Sequence, residues 1–329
     1  MNNFKMDRRG FLRSAAAFGL LNGFPGVSAA QQNEIIKLTV GFPVGGPADT
    51  ITRLLAAHMG VPGSTVIVEN RPGASGQMAA DHVKRATSND GVSLLVTPSS
   101  ILSLVPHLYK RPMYDSLNDF VPVGYVCDHS FGLAVAADSP IKTVGQFIDE
   151  AKKRGKHATY ASAGNGTGMH LLGSIFTRET GVPLTHVAYR GTAPGLQDLI
   201  GGHVFSTFNP LPTMLELSRS GRLRILAVTN PERVPNLPDV PTFNEAGLPA
   251  LELVEWYGVF SSGKLSSETQ SHIQSLLDNA LQKNEFAESA RKLELEPRRA
   301  PAQTLAGMLR ADYEKWAALV KETGISLDA

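Results

Sequence analysis

The residues best suited to chemistry in this 329-residue chain are small ones at strand-to-helix turns. The turns are 43–49, 97–100, 162–168, 190–194 and 209–213, each placed between an apolar run and a helical pattern. The first N–H groups of a helix are unpaired, and the positive end of its dipole lies beside them. Such a turn binds an anion without a fixed cation. Thr97, Ser99, Ser162 and Asn209 add hydroxyls or an amide at these ends. The stretch VGFPVGGPADT at 40–50 has the glycines of a phosphate cradle, but no Lys-Ser or Lys-Thr follows. A carboxylate suits it better. A hydrogen bond to a charged group contributes roughly 1.5–3 kcal/mol, and a partly buried helix end up to ~2 kcal/mol. Two turns closing on one carboxylate, with water excluded, reach the ~8 kcal/mol of a micromolar binder. One such turn alone is an ordinary connection; several on one face carry the argument.

Other chemistries lack their residues. There is no G-x-x-x-x-G-K-[ST], complete G-x-G-x-x-G, H-E-x-x-H or G-x-S-x-G. GNGTG at 164–168 is half a dinucleotide loop, and the nine histidines show no metal spacing. No cofactor and no metal are implied. Ser162, His170 and an Asp would form a hydrolytic triad only if the fold assembled them, which closeness in sequence does not show. Arg71 and Arg190 have the fork geometry for a carboxylate, but pairing on the surface or between domains is the simpler reading. His170, at the start of an apolar helix pattern, either touches a ligand or caps that helix. Cys127 is the only cysteine, so no disulfide within the chain can form, and it reads as a small buried apolar residue.

The elements that would position these turns alternate along the chain. Runs at 35–42, 64–70 and 91–100 read as strands separated by helices at 48–59 and after Ser75. After a connecting region the pattern restarts with a strand at 131–137 and helices at 143–155 and 169–181, followed by further β and α runs to about 253. The tail is largely helical, with Leu305, Leu309, Tyr313, Trp316 and Val320 on one stripe. The alternation predicts an α/β fold with a mainly parallel sheet covered on both faces. Parallel topology gathers the turns at the carboxyl ends of the strands, where such sheets bind ligands.

The first thirty residues have a different character. Arg8, Arg9 and Arg13 precede a short apolar stretch and then Ser28, Ala29 and Ala30, a signal-peptide layout with cleavage near Ala30. Arg-Arg-Gly-Phe-Leu-Arg resembles a twin-arginine signal, although Asp7 replaces the usual Ser or Thr; a Sec signal is the alternative, and both lead to the periplasm. Removing four basic residues and one acidic leaves 27 against 29, a net charge of −2. No basic stripe points to nucleic acid.

Several long stretches together resemble the Bug family of periplasmic solute-binding proteins, the substrate receptors of tripartite tricarboxylate transporters. They are GFPVGGPADTITRLLA, VIVENRPGASGQMAADHVKRA, YASAGNGTGMHLLG, AYRGTAPGLQDLIGGHV, PDVPTFNEAGLP, EWYGVFSS and YEKWAALVKETGI. The resemblance implies a two-lobed Venus-flytrap fold of type II kind, with a parallel or mixed sheet in each lobe. Lobe one would comprise residues 31–130 and 254–329, and lobe two residues 131–253. Phe42, Pro43, Val44, Gly45, Gly46 and Asp49 would form the clamp of lobe one. Ser162, Asn165, Gly166, Thr167 and His170, with Tyr189, Gly191 and Thr192, would face it from lobe two. Val44 stands where the family often has Pro, and Asn209 where it usually has Asp, which favours plain carboxylates over amino acids. The implied role is capture of a small carboxylate by a monomer, with no reaction, and its delivery to the membrane subunits of the transporter. A sensing receptor and a periplasmic hydrolase are the rival readings.

Overall fold

A computed structural model describes residues 34–87 and 91–323, and the signal-peptide reading of residues 1–30 lies outside them. The apolar run at the start becomes β1 (Glu34–Val40), with Ile36, Leu38 and Val40 fully buried. Pro47 opens α1 (Pro47–Met59) at a position whose N–H would be unpaired anyway. β2 (Ser64–Asn70), α2 (Gln77–Arg85) and β3 (Val92–Pro98) follow. The strand expected over 91–100 stops at Pro98, because Ser99 already begins α3 (Ser99–Ser103), which runs into α4 (Val105–Leu108).

The connecting region then yields the main departure from expectation. The strand predicted to begin at 131 begins at Phe120, as the 17-residue β4 (Phe120–Ala136). Gly124 and Asp128 interrupt its apolar pattern, and bulges between Pro122 and Gly124 and between Tyr125 and Cys127 shift its register. Those shifts blur the two-residue period that marks a strand.

The remaining elements are α5 (Val144–Arg154), β5 (Thr159–Ser162), α6 (Gly168–Thr180), β6 (Thr185–Ala188), α7 (Thr192–Ile200), β7 (Ser206–Pro210), α8 (Leu211–Arg219) and β8 (Leu223–Val228). Then come β9 (Val254–Ser262), α9 (Ser267–Leu281), α10 (Asn284–Lys292), β10 (Glu296–Pro297) and α11 (Ala302–Thr323). Thr143 and Ser266 cap α5 and α9 by accepting N–H bonds from Gln146 and Thr269.

The strands run in the order β2-β1-β3-β9-β4-β7-β5-β6, with β8 and β10 also paired to β4. Neighbours β1–β2, β1–β3, β5–β6 and β5–β7 are parallel. β9 and β4 run antiparallel to their neighbours, so the sheet is mixed. β4 belongs to both ends of the sheet. Phe120–Ser130 pairs with β9, whereas Phe131–Ala136 pairs with β7 and β8.

The cores divide in the same way. Ile36, Leu55, Val96, Ile273 and Leu277 pack around β1, β3, α1 and α9. Phe131, Phe147, Phe176 and Phe208 pack around β4, α5, α6 and β7. Beside the second core, buried Thr229 ties the chain at Phe131 to the chain at Leu253. Its hydroxyl accepts from Phe131 N (2.9 Å) and donates to Leu253 O (2.6 Å). Its N–H donates to Phe131 O, and its carbonyl accepts from Leu253 N. α11 adds a second link, with Trp316 and Val320 against Leu104, Leu108 and Leu171.

Candidate ligand-binding site

The carboxyl ends of β1 and β2 deliver two loops to one edge of the sheet. The first, 41–46, is held from behind. The Asp49 carboxylate accepts from Gly45 N (2.9 Å), Arg53 Nε (2.9 Å) and Asn70 Nδ2 (2.8 Å), and Asn70 Nδ2 also donates to Phe42 O (3.0 Å). Burial alone would raise the Asp49 pKa, but these donors outweigh it and hold the carboxyl below its usual range. Asp49 is therefore committed to shaping the loop. The second loop carries four consecutive positive φ angles: Gly73 144°, Ala74 46°, Ser75 53° and Gly76 93°. Left-handed backbone at a residue other than glycine costs roughly 1–3 kcal/mol and gathers at functional sites. A Cβ on Gly41 would lie 2.6 Å from Gly76 Cα, so the two loops meet only because residue 41 has no side chain.

The carboxyl ends of β5 and β6 bring the facing loops. Tyr189 N donates to Ser162 O and Gly191 N to Ala163 O, which joins loop 163–167 to loop 189–191. The Tyr189 hydroxyl donates to Asp198 Oδ2 (2.6 Å); burial, with that carboxylate, pushes it up to about 12. Across the gap, the Ser75 hydroxyl donates to Asn165 O (2.5 Å). A Cβ on Gly191 would lie 3.2 Å from Pro43 Cγ.

These four loops enclose a cavity of about 540 Å³. Phe42, Pro43, Ser75, Asn165, Tyr189 and Gly191 are among its walls. A smaller cavity of about 50 Å³ adjoins the same loops and is bounded by Val44, Gly46, Pro47, Ala48, Thr192 and Ala193. It lies between the first residues of α1 and α7, and neither helix start has a side-chain cap. No Asp or Glu lines either cavity among the described residues. Two positive helix ends and no acid form a site for an anion.

The expected residues divide into three groups. Phe42, Pro43, Val44, Gly46, Asn165, Tyr189, Gly191 and Thr192 line the cavities. Gly45, Asp49, Ser162, Gly166, Thr167 and His170 lie behind these walls and hold the loops. Thr167 caps α6 by accepting from His170 N, and Gly166 N donates to His170 Nδ1 (3.1 Å). His170 thus caps the helix start, and it lines a separate cavity with Leu171, Ser174 and His186. The third group is elsewhere. Thr97 and Ser99 are buried, and the N–H of Ser100 is taken by Glu255 Oε1 (2.9 Å), which closes the start of α3. Asn209 is buried in β7, its amide donating to Thr207 Oγ1 (2.6 Å), and it lines neither cavity. The reading from sequence did not include the 72–76 turn or Tyr109 among the walls; Gly164, also a wall residue, falls within its 162–168 turn. Pro72 and Gly73 mark a turn there by type, but the left-handed Ala74 and Ser75 beside it have no compositional mark.

Ser162 Oγ lies 2.6 Å from His186 Nε2, the spacing of a nucleophile and its base. Burial, with His170 stacked 4.1 Å away, lowers the His186 pKa to about 3, and among the described residues no carboxylate is bonded to the ring. A base that weak takes a serine proton poorly.

The family model of the tripartite tricarboxylate transporter family receptor matches residues 51–325. The chain belongs to that receptor family. Solved structures agree. The periplasmic binding protein BugD superposes with a TM-score of 0.83 at 30% identity, over 89% of this chain and 98% of its own. Rpa4515 from R. palustris, solved with adipate, gives 0.84 at 30% identity, over 89% and 98%. MatC from Rhodopseudomonas palustris, with bound malate, gives 0.82 at 26% identity, over 87% and 99%. The fold expectation is therefore met: this is the periplasmic-binding-protein fold of a receptor family. No helix among the described residues is long and apolar enough to cross a membrane.

Proposed function

We propose that this receptor captures a small organic carboxylate between two lobes, 31–130 with 254–329 and 131–253, and passes it unchanged to the membrane subunits of a tripartite transporter. The observation that carries this reading is the pair of uncapped helix starts, α1 and α7, facing one acid-free cavity from opposite sides. A carboxylate there accepts backbone N–H bonds at both ends of the gap, which a single open lobe cannot supply. Binding energy gained only on closure shifts the population toward the closed form. The relatives with adipate and malate support the ligand class. The two crossings at 130/131 and 253/254, joined by Thr229, supply the hinge. Export by the twin-arginine route, cleavage near Ala30, action as a monomer and absence of turnover complete the proposal.

The test is thermal unfolding with a panel of mono-, di- and tricarboxylates. A binder at one hundred times its Kd adds about 2.7 kcal/mol of stability. A folded protein whose melting temperature no carboxylate raises refutes the ligand class.

A further inference from the structure

We propose that Arg190 holds a second carboxylate of the ligand, so that this receptor selects dicarboxylates over the matching monocarboxylates. The inference rests on the carboxylate reading of the cleft and adds a residue and a ligand class to it. Arg190 lines both the larger and the smaller cavity and is the one cationic side chain on either wall among the described residues. Its side chain is exposed and has no hydrogen bond or ion pair with any described residue. Arg53 and Arg71, the other arginines near these loops, are already paired with Asp49 (2.9 Å) and Glu69 (3.4 Å). The simpler expectation of surface or interlobe pairing therefore applies to Arg71 and not to Arg190.

The backbone around Arg190 is fixed on both sides. Tyr189 N is bonded to Ser162 O and Gly191 N to Ala163 O, so the stem of Arg190 starts from a held position. Two residues later Thr192 opens α7, whose uncapped end faces the smaller cavity. A carboxylate at that helix start leaves the guanidinium unmatched, because no acid lines either wall. A second carboxylate in the larger cavity, about 540 Å³, would accept the guanidinium fork. The contact lies at a wet rim, so screening reduces it below a fully buried pair.

The test is calorimetric titration of succinate, glutarate and adipate against butyrate, valerate and hexanoate. It uses the wild type, Arg190→Gln and Arg190→Lys, at low and high salt, with the melting temperature of each checked. The wild type is expected to prefer each dicarboxylate. Arg190→Gln should weaken dicarboxylates roughly 5- to 30-fold and leave monocarboxylates within about 2-fold, erasing the preference. Arg190→Lys should retain part of it, and added salt should narrow the wild-type preference. Equal losses for both series would overturn the proposal by placing Arg190 on the shared carboxylate. No loss for either series would overturn it by leaving Arg190 a solvated side chain. A folded wild type that binds neither series refutes the carboxylate reading, and this inference with it.

Discussion

Gly191→Ala separates the cost of folding from the cost of closing. Gly191 has φ 104° and ψ 174°, a region that residues with a Cβ rarely adopt, so any side chain there costs roughly 1–3 kcal/mol of folding stability. That cost applies whether the lobes are open or closed. On the proposed two-lobe capture, a second cost arises only on closure. The added methyl would stand 3.2 Å and 3.3 Å from Pro43 Cγ and Cδ, across the cleft. Pro43 is a rigid ring, and its loop is pinned through Asp49 and Asn70, so it yields little. About 1–2 kcal/mol of closed-state penalty corresponds to roughly 5- to 30-fold weaker ligand binding. Gly45→Ala is the matched control: its φ is also positive, 84°, but nothing lies within 4 Å of the new methyl. Denaturant unfolding without ligand should show both variants destabilised, with midpoints moved and slopes unchanged. Calorimetric titration should then show weaker binding for Gly191→Ala and near wild-type binding for Gly45→Ala. Equal affinities for the two variants would refute the idea that the Gly191–Pro43 approach belongs to ligand-bound closure.

Three further outcomes follow from the same geometry. Ser75→Ala removes the bond to Asn165 O and should weaken binding about 2- to 10-fold by titration, with little change in unfolding of the ligand-free protein. Asp49→Ala frees the Gly45 N–H, Arg53 and Asn70 Nδ2, so denaturant unfolding should report about 1–3 kcal/mol lost; a smaller loss would mean that the loop holds itself. His186 has a folded pKa of about 3 against 6.5 for the free side chain, so the unfolded chain binds its proton first. The stability this contributes is complete above pH 6.5 and is lost progressively down to about pH 3, by at most ~1.4 kcal/mol per pH unit. His186→Gln should flatten that part of the stability–pH curve, and an unchanged slope there would contradict the burial argument.

The parts legible in the sequence were those governed by local rules. Alternating apolar runs gave β1, α1, β2 and α6 close to their observed limits, because each buries one regular face. The loop at 42–46 and the facing loops at 163–167 and 189–192 were legible because glycine and proline punctuate them. β4 was half missed, since its bulges break the period on which strand recognition depends. Thr97 and Asn209 were placed at strand ends correctly, yet a strand end does not reveal whether the next element covers it. At Ser100 that cover is the Glu255 carboxylate, far away in sequence. The role of Asp49 was illegible for the same reason, and that of His170 was left open between ligand contact and the capping it performs. Each is set by particular donors, Gly45 N, Arg53 and Asn70 for Asp49 and Gly166 N for His170, and both support the walls from behind.

The central claim is reversible capture of a carboxylate without chemistry. Its most direct test is mass spectrometry of the small molecule released from the protein purified in its exported form. The account predicts one carboxylate per chain, released intact and rebinding on return. Release of a hydrolysis product, or of a ligand without a carboxylate, would contradict it.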